Sequence, residues 1–155
     1  MGSADWKAEI MKVFFDTNVL VAAVCGGHTQ HPRAFPLLER VQSGKDEGFI
    51  SAHSLAEMYA VLTRLPAPYR HTPEQALLSL EENILKYFKA TALTAGEYAA
   101  LIRESALGGL QGGVVYDALV LKSAAKSGVE RIFTFNLKHF QAVAPKGIGS
   151  LIVSP

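Results

Sequence analysis

The fold class is indicated by Lys12–Phe15 (KVFF), which is followed by Asp16 and then by Thr17–Val24 (TNVLVAAV). The first segment is rich in β-branched and aromatic residues, which is typical of a strand, and the apolar segment after Asp16 favours a short helix. A strand that leads directly into a helix is the repeating unit of α/β domains, whose parallel sheets bind ligands beyond the carboxyl ends of their strands. Asp16 is therefore predicted to lie where such a sheet presents side chains to a ligand.

The same alternation of strand and helix continues along the rest of the chain. The patterns predict helices over Pro32–Val41, Ser54–Arg64, Pro73–Phe88, Thr94–Leu107 and Val114–Ser127. They predict further strands over Gly48–Ser51, Lys89–Leu93, Arg131–Phe135 and Ser150–Val153. We therefore expect one three-layer α/β/α domain over residues 11–155, with a mainly parallel central sheet. Residues 1–10 carry no usable pattern and are interpreted as an N-terminal extension, either a cloning remnant or an upstream start.

Composition excludes several classes of protein. The chain has 155 residues, of which 49% are hydrophobic and 19% charged, and these values are ordinary for a globular domain and exclude disordered or fibrous proteins. A net charge of +1 is not that of a protein that coats DNA or RNA. The longest apolar runs, such as Val19–Cys25, are far shorter than the ~20 residues of a membrane-spanning helix.

Cysteine usage and the N-terminal sequence bear on the cellular compartment. Cys25 is the single cysteine, so it forms no internal disulfide, and no Cys/His spacing typical of zinc sites is present. The N-terminus also lacks a basic segment followed by an apolar one. These features predict a cytoplasmic protein.

Three isolated acids, Asp16, Glu57 and Asp117, stand near predicted element ends in apolar sequence. Each also has a purely structural interpretation. Asp16 is a good helix N-cap, Glu57 fits a capping box with Ser54, and Asp117 lies in a helical first turn, where the helix dipole stabilises negative charge. These interpretations do not explain why all three acids occupy the same kind of junction without a basic neighbour.

Three carboxylates at one edge of a sheet repel one another unless a cation lies among them. Oxygen ligands of this kind suit Mg²⁺ or Mn²⁺ better than Zn²⁺, which prefers histidine and cysteine. A divalent ion polarises phosphoryl oxygens and generates hydroxide, which is a common route to phosphodiester hydrolysis. The three acids therefore predict a metal-dependent hydrolase.

Four ordered segments resemble the motifs of PIN-domain proteins, and the likeness is greatest to VapC-type toxins. The segments are Phe14–Leu20 (FFDTNVL), Ser54–Glu57 (SLAE), Tyr116–Leu119 (YDAL) and Thr134–Phe140 (TFNLKHF). The resemblance implies a PIN-like fold and a Mg²⁺- or Mn²⁺-dependent ribonuclease whose metal-binding acids are Asp16, Glu57 and Asp117. It also implies a homodimer that pairs with a small antitoxin protein.

The resemblance extends to polar residues around the acids. Thr134 resembles the family's hydroxyl near the metal, and Asn18 resembles a residue that orients the first acid. The last motif departs from the family, since Asn136 and His139 stand where members often carry a fourth acid. We expect Asn136 to support the site as a neutral group, with one well-occupied metal in the free protein and a second recruited by substrate phosphate. His139 is either a surface residue or a contact to the phosphate or leaving group.

Two other function classes remain open from sequence. A PIN-like module that has lost catalysis and grips only RNA or a protein is consistent with Asn136, although three retained acids speak against it because buried carboxylates are destabilising without a counter-charge. A phosphatase- or receiver-type domain would use Asp16 as its nucleophile, but no second acid is adjacent to it. The sequence does not identify which RNA is cut.

Several tyrosines are candidates for stacking on nucleobases. These are Tyr59, Tyr69, Tyr87 and Tyr116. Helical spacing favours core or interface positions for Tyr59 and Tyr116.

Overall fold

The centre of the protein is a five-stranded sheet in which every pair of neighbouring strands is parallel. The computed structural model describes residues 10–155, so the interpretation of the N-terminal extension falls on residues 1–9, outside the described range. The sheet has the order β3-β2-β1-β4-β5. Its strands are β1 (Met11–Phe15), β2 (Asp46–Ser51), β3 (Phe88–Thr91), β4 (Arg131–Phe133) and β5 (Ile152–Val153).

Helices cover both faces of this sheet. They are α1 (Thr17–Val24), α2 (His31–Gln42), α3 (Ala52–Leu62), α4 (Pro73–Ser79), α5 (Ala95–Leu107), α6 (Val114–Ser127) and α7 (Leu137–Val143). One hydrophobic core joins the sheet to α1–α4, and a second joins its other face to α6 and α7. The predicted three-layer α/β/α architecture with a parallel sheet is therefore confirmed.

Strand β1 is central because its side chains are buried on both faces. Val13 and Phe15 lie in the first core, whereas Phe14 lies in the second, as the two-residue repeat of a strand requires. Burial of three large apolar side chains at this strand fixes its register between β2 and β4. This central position brings Asp16, the next residue, to the middle of the carboxyl edge.

The prediction of one helix over Pro73–Phe88 is wrong at its carboxyl end. Helix α4 stops at Ser79, the chain continues as a π-helical turn over Leu80–Leu85, and Phe88 begins strand β3. The ring of Phe88 packs edge-on against Phe15, with 5.1 Å between ring centroids. Phe88 therefore belongs to the sheet, although its spacing from the preceding apolar residues also suited a helix. A Cβ at Gly48, which pairs with Phe88, would lie 2.6 Å from that ring, and glycine is therefore required there.

Other element ends follow their sequence signals. Thr94 and Glu97 form the predicted capping box at the start of α5. Helix α6 ends at Gly128, whose φ of 67° is the left-handed conformation favoured by glycine at helix ends. Within residues 10–155, none of the helices combines the length and apolarity needed to traverse a lipid bilayer.

Candidate active site

Asp16 caps α1 and also accepts a hydrogen bond from the loop that follows β4. Its Oδ1 accepts a hydrogen bond from the Thr17 backbone N–H at 2.8 Å, and its Oδ2 accepts one from the Thr134 hydroxyl at 2.8 Å. The residue is only 7% exposed. The helix-cap interpretation is thus confirmed, but each carboxylate oxygen keeps further lone pairs for another partner. Capping and ligand binding are compatible at this position.

The electrostatic surroundings of Asp16 disfavour its charge. Burial raises the pKa of Asp16 to about 6, and the hydrogen bonds from Thr134 and Thr17 oppose this rise. The nearby carboxylates of Glu57 and Asp117 raise the pKa further. Among the described residues no basic side chain contributes to this shift. Above pH 6 Asp16 therefore carries a buried negative charge that no basic side chain of residues 10–155 compensates.

Glu57 reaches the same edge of the sheet from α3. The predicted capping box of Ser54 and Glu57 is wrong, because α3 begins at Ala52 with Ser51 as its N-cap. The Ser54 hydroxyl instead accepts a hydrogen bond from Thr17 Oγ1 at 2.8 Å, and Glu57 Oε2 lies 3.3 Å from the same Thr17 oxygen. Glu57 therefore does not cap α3, and its carboxylate faces the start of α1.

Asp117 completes the group of acids from the opposite layer. It lies in the first turn of α6, as predicted, and is half-buried. Burial raises the pKa of Asp117, His139 opposes that rise, and Glu57 adds to it. The mutual effects of Glu57 on Asp16 and on Asp117 indicate that the three carboxylates share one electrostatic environment.

Thr134 links Asp16 to the loop between β4 and α7. It is fully buried, and besides donating to Asp16 its hydroxyl accepts from the Asn136 backbone N–H at 3.0 Å. Asn136 itself is exposed at the start of α7, and its side chain makes no capping hydrogen bond. Asn18 accepts from the Phe135 backbone N–H at 3.4 Å. Asn18 therefore orients the 134–136 loop directly, and its contact with Asp16 is indirect, through Thr134.

Two residues beside the acids have roles that the sequence analysis missed or misjudged. His53 was not singled out, yet its Nε2 lies 3.5 Å from Glu57 Oε2 and its ring stacks on Tyr116 at 5.6 Å and 9°. The four-residue spacing of His53 and Glu57 is the signal that indicates a shared helix face. Tyr116 is 57% exposed and Tyr59 is 39% exposed, so neither is a core residue.

The donor set fits a hard divalent ion. Within residues 10–155 no three His, Cys, Asp or Glu side chains converge closely enough to ligate one ion together. Mg²⁺, however, keeps several waters and takes one or two direct carboxylates, so three converging ligands are unnecessary. Asp16 is held by two hydrogen bonds of 2.8 Å, whereas the Glu57 side chain is 43% exposed and its Oε2 has longer contacts, 3.3 Å to Thr17 and 3.5 Å to His53. Carboxylate oxygens, uncompensated negative charge and one adjustable ligand are the features that such an ion needs.

Comparisons with known proteins identify the family of this chain. The family model described as PIN domain matches residues 13–145. The chain is 35% identical over 115 residues to ribonuclease VapC40 of Mycobacterium tuberculosis, covering 74% of this chain and 80% of that protein. It is 33% identical over 115 residues to ribonuclease VapC27 of the same organism, covering 74% and 78%.

Two solved structures share the fold. VapBC2 from Rickettsia felis, bound to a DNA fragment from their promoter, has a TM-score of 0.63 at 22% identity and covers 93% of this chain and 98% of that chain. VapC20 of Mycobacterium tuberculosis, a sarcin-ricin loop cleaving toxin, has a TM-score of 0.64 at 18% identity and covers 86% and 97%. The resemblance to PIN-domain proteins of the VapC type is confirmed, and this chain belongs to the PIN domain family.

Proposed function

We propose that this protein is a Mg²⁺- or Mn²⁺-dependent endoribonuclease that hydrolyses RNA phosphodiesters, and that it is the toxin of a toxin–antitoxin pair. The observation that carries the proposal is the buried carboxylate of Asp16, which shares the carboxyl edge of the sheet with Glu57 and Asp117 and has no basic partner in the part of the chain that the structure describes. Relatives named as VapC ribonucleases support the same activity.

In this proposal Asp16, Glu57 and Asp117 hold the ion. When bound, the ion polarises a phosphoryl oxygen and lowers the pKa of a water so that it becomes a nucleophile at neutral pH. The hydrogen bonds from Thr17 and Thr134 hold the Asp16 carboxylate in one orientation before substrate arrives. Glu57 combines solvent exposure with proximity to Asp16, so its Oε2 is suited to accept a proton from the attacking water.

Thr134 and Asn136 have supporting roles. The Thr134 hydroxyl joins the Asp16 carboxylate to the Asn136 backbone N–H, so it couples the orientation of the first acid to the loop before α7. The Asn136 side chain is exposed and neutral, which suits contact with a water or a substrate oxygen.

The number of bound ions follows from the charge at the last motif. Because Asn136 supplies no carboxylate, we expect one tight Mn²⁺ site in the free protein and a second only when substrate phosphate contributes. Isothermal titration calorimetry with Mn²⁺, with and without a nucleotide, counts the sites. Two tight sites in the free protein would contradict this expectation.

The partner of the protein is proposed by analogy with its relatives. The Rickettsia felis structure is a VapBC complex, which supports a small antitoxin as partner, and a homodimer in the cytoplasm is proposed on the same family basis. Co-expression with the small protein encoded beside this chain, followed by co-purification and size measurement, tests the pairing and the dimer together.

The alternative function is a catalytically weak or inactive module that binds RNA or a protein. The exposed Asn136 in place of an acid is the observation that favours it. A cleavage test separates the two functions: total cellular RNA is incubated with wild type and Asp117→Asn, in Mn²⁺ and in EDTA. The nuclease predicts cleavage only by wild type with Mn²⁺. Absence of cleavage, or cleavage that persists in the variant, would contradict the proposed site.

A further inference from the structure

An uncharged aromatic groove lies beside the acids, between α5 and α6. We call it the Tyr116 groove, and its volume is about 220 Å³. Its lining residues are Tyr98, Leu101, Ile102, Val115, Tyr116 and Leu119. Pockets for whole drug-sized ligands have volumes of roughly 300 to 1,000 Å³, so this groove is suited to one planar ring.

Tyr116 connects this groove to the acidic site. It directly precedes Asp117, and its ring stacks almost parallel on His53, with 9° between the ring planes. His53 in turn lies 3.5 Å from the carboxylate of Glu57. The stacked pair therefore links the groove to the α3 acid, and the α6 acid follows Tyr116 directly in the chain.

The exposure of Tyr116 is unusual for a residue with this packing. Although His53 covers one part of its ring, Tyr116 remains 57% exposed. Tyr98 and Ile102 across the groove are 40% and 59% exposed. Large apolar surface that stays accessible in a groove marks a binding site for a ligand or a partner.

We propose that the Tyr116 groove receives one unstacked nucleobase of the RNA, next to the phosphodiester held at the acids, with Tyr116 as the stacking residue and His53 as the residue that positions its ring. The inference rests on the proposed function. Proteins recognise single-stranded RNA by stacking splayed bases on aromatic side chains. The phenol groups of Tyr98 and Tyr116 add hydrogen-bonding capacity that suits a base edge.

The surroundings favour a base over a side chain of a protein partner. A ring bound here lies against Tyr116, which directly precedes Asp117 and stacks on His53, the neighbour of Glu57. The uncharged lining suits the base and would not hold the phosphate itself. The groove and the acids are thus arranged for successive parts of one nucleotide chain.

The test measures binding, without cleavage, in an Asp16→Asn background with Mg²⁺. Fluorescein-labelled RNA octamers of mixed sequence, and the same octamers made entirely of abasic residues, are titrated by fluorescence anisotropy. We expect Tyr116→Ala to raise the Kd of the normal octamers about tenfold and Tyr116→Phe to change it by less than about threefold. The abasic octamers should bind weakly and equally to all variants.

Controls separate the groove from general surface effects. Tyr87, which is 41% exposed and outside the groove, provides the matched variant Tyr87→Ala, whose Kd should equal that of the background. His53→Ala should raise the Kd less than Tyr116→Ala does, because the stacking face is kept while its orientation is loosened. Thermal unfolding of each variant verifies that the fold is intact.

The outcomes distinguish this inference from the proposed function. If otherwise wild-type protein cuts RNA with Mn²⁺ while Tyr116→Ala leaves the Kd unchanged, the nucleobase site is overturned and the nuclease stands. Unchanged RNA affinity together with lost binding of a co-purified antitoxin would assign the groove to a protein partner and would overturn the inference in the same way. Equal effects of Tyr116→Ala on normal and abasic octamers would also overturn it. Failure of wild type to cut RNA counts against the proposed function itself.

Discussion

Two aspartates at opposite edges of the same sheet are almost equally buried but have opposite surroundings. Asp46 begins β2 at the amino edge and is 9% exposed, whereas Asp16 follows β1 at the carboxyl edge and is 7% exposed. Arg40 binds both oxygens of Asp46, with Nε–Oδ2 at 2.8 Å and Nη2–Oδ1 at 3.2 Å. Asp16 is bound by a hydroxyl and a backbone N–H, and its charged neighbours are two further acids.

The two surroundings separate a charge that is paired within the fold from one that is a candidate for function. At the amino edge the charges are paired: Asp46 raises the pKa of Arg40, and Lys89 lowers the pKa of Glu47 through a 2.8 Å contact. At the carboxyl edge no basic side chain of residues 10–155 lowers the pKa of Asp16, and His139 only partly opposes the rise in the pKa of Asp117. A buried carboxylate with its own arginine has its charge compensated within the fold, whereas one without a partner is a candidate ligand.

The largest expected effect is on RNA cleavage. Asp16→Asn and Asp117→Asn should each reduce the cleavage rate by more than about a hundredfold, because losing a direct metal ligand exceeds the 10- to 100-fold effect typical of outer-shell partners. Asp46→Asn, equally buried but remote from the acids, should keep wild-type cleavage once it is folded. Initial rates on total RNA with Mn²⁺ measure all three. A comparable loss of activity in Asp46→Asn would erase the contrast between the two edges.

A second effect sharpens the role of the hydroxyl that holds Asp16. Thr134→Val removes the hydrogen bond to Asp16 and the acceptor for Asn136, so we expect the Mn²⁺ concentration needed for half-maximal cleavage to rise about 10- to 100-fold. Thr134→Ser keeps the hydroxyl and should restore most of the metal affinity. Wild-type Mn²⁺ dependence in Thr134→Val would show that this contact does not support the ion.

The pH dependence of stability tests the buried charge itself. The pKa of Asp16 is raised from 3.8 to about 6 in the folded protein, so folding binds a proton between these values and stability falls as pH rises through this window. In EDTA at pH 7.5, Asp16→Asn should therefore have a free energy of unfolding about 2 kcal/mol higher than wild type, measured by denaturant titration. This difference should shrink towards pH 4. A wild type as stable as the variant at both pH values would contradict the unpaired charge.

The smallest effect concerns the paired aspartate. Asp46→Asn weakens a bidentate pair whose arginine is 50% exposed, so the free energy of unfolding should fall by about 1 kcal/mol, well below the value for a fully buried pair. The sign is opposite to that expected for Asp16→Asn at pH 7.5. Urea unfolding of both variants in one buffer compares them. Stabilisation by Asp46→Asn would contradict the difference between the paired Asp46 and the unpaired Asp16.

Local patterns predict the layers of the fold and several element ends. Helix α6 has the predicted bounds because its ends depend on local signals, a helical run closed by Gly128. Phe88 was misassigned because its packing on Phe15 and its pairing with Gly48 arise only when distant strands meet. Periodicity within one segment carries no information about such a contact.

The candidate site shows the same division. Asp16 and Asp117 were placed correctly at element ends, since their positions follow from local structure. Glu57 fits a local capping pattern with Ser54. In the structure Ser54 does not cap a helix, because its hydroxyl is bound to Thr17 in a contact that joins α1 to α3. The stack of His53 on Tyr116 likewise joins α3 to α6 and has no trace in either segment alone.

The most direct test of a metal site at the carboxyl edge is thermal unfolding across a Mg²⁺ and Mn²⁺ titration, with wild type, Asp117→Asn and Asp46→Asn compared. A ligand that binds only the folded state stabilises it by about 2.7 kcal/mol at a hundred times its Kd, so the melting temperature should rise by several degrees in wild type and in Asp46→Asn. This rise should disappear in Asp117→Asn. A wild-type melting temperature that does not change with either ion, or a rise of equal size in Asp117→Asn, would contradict a metal site at these acids.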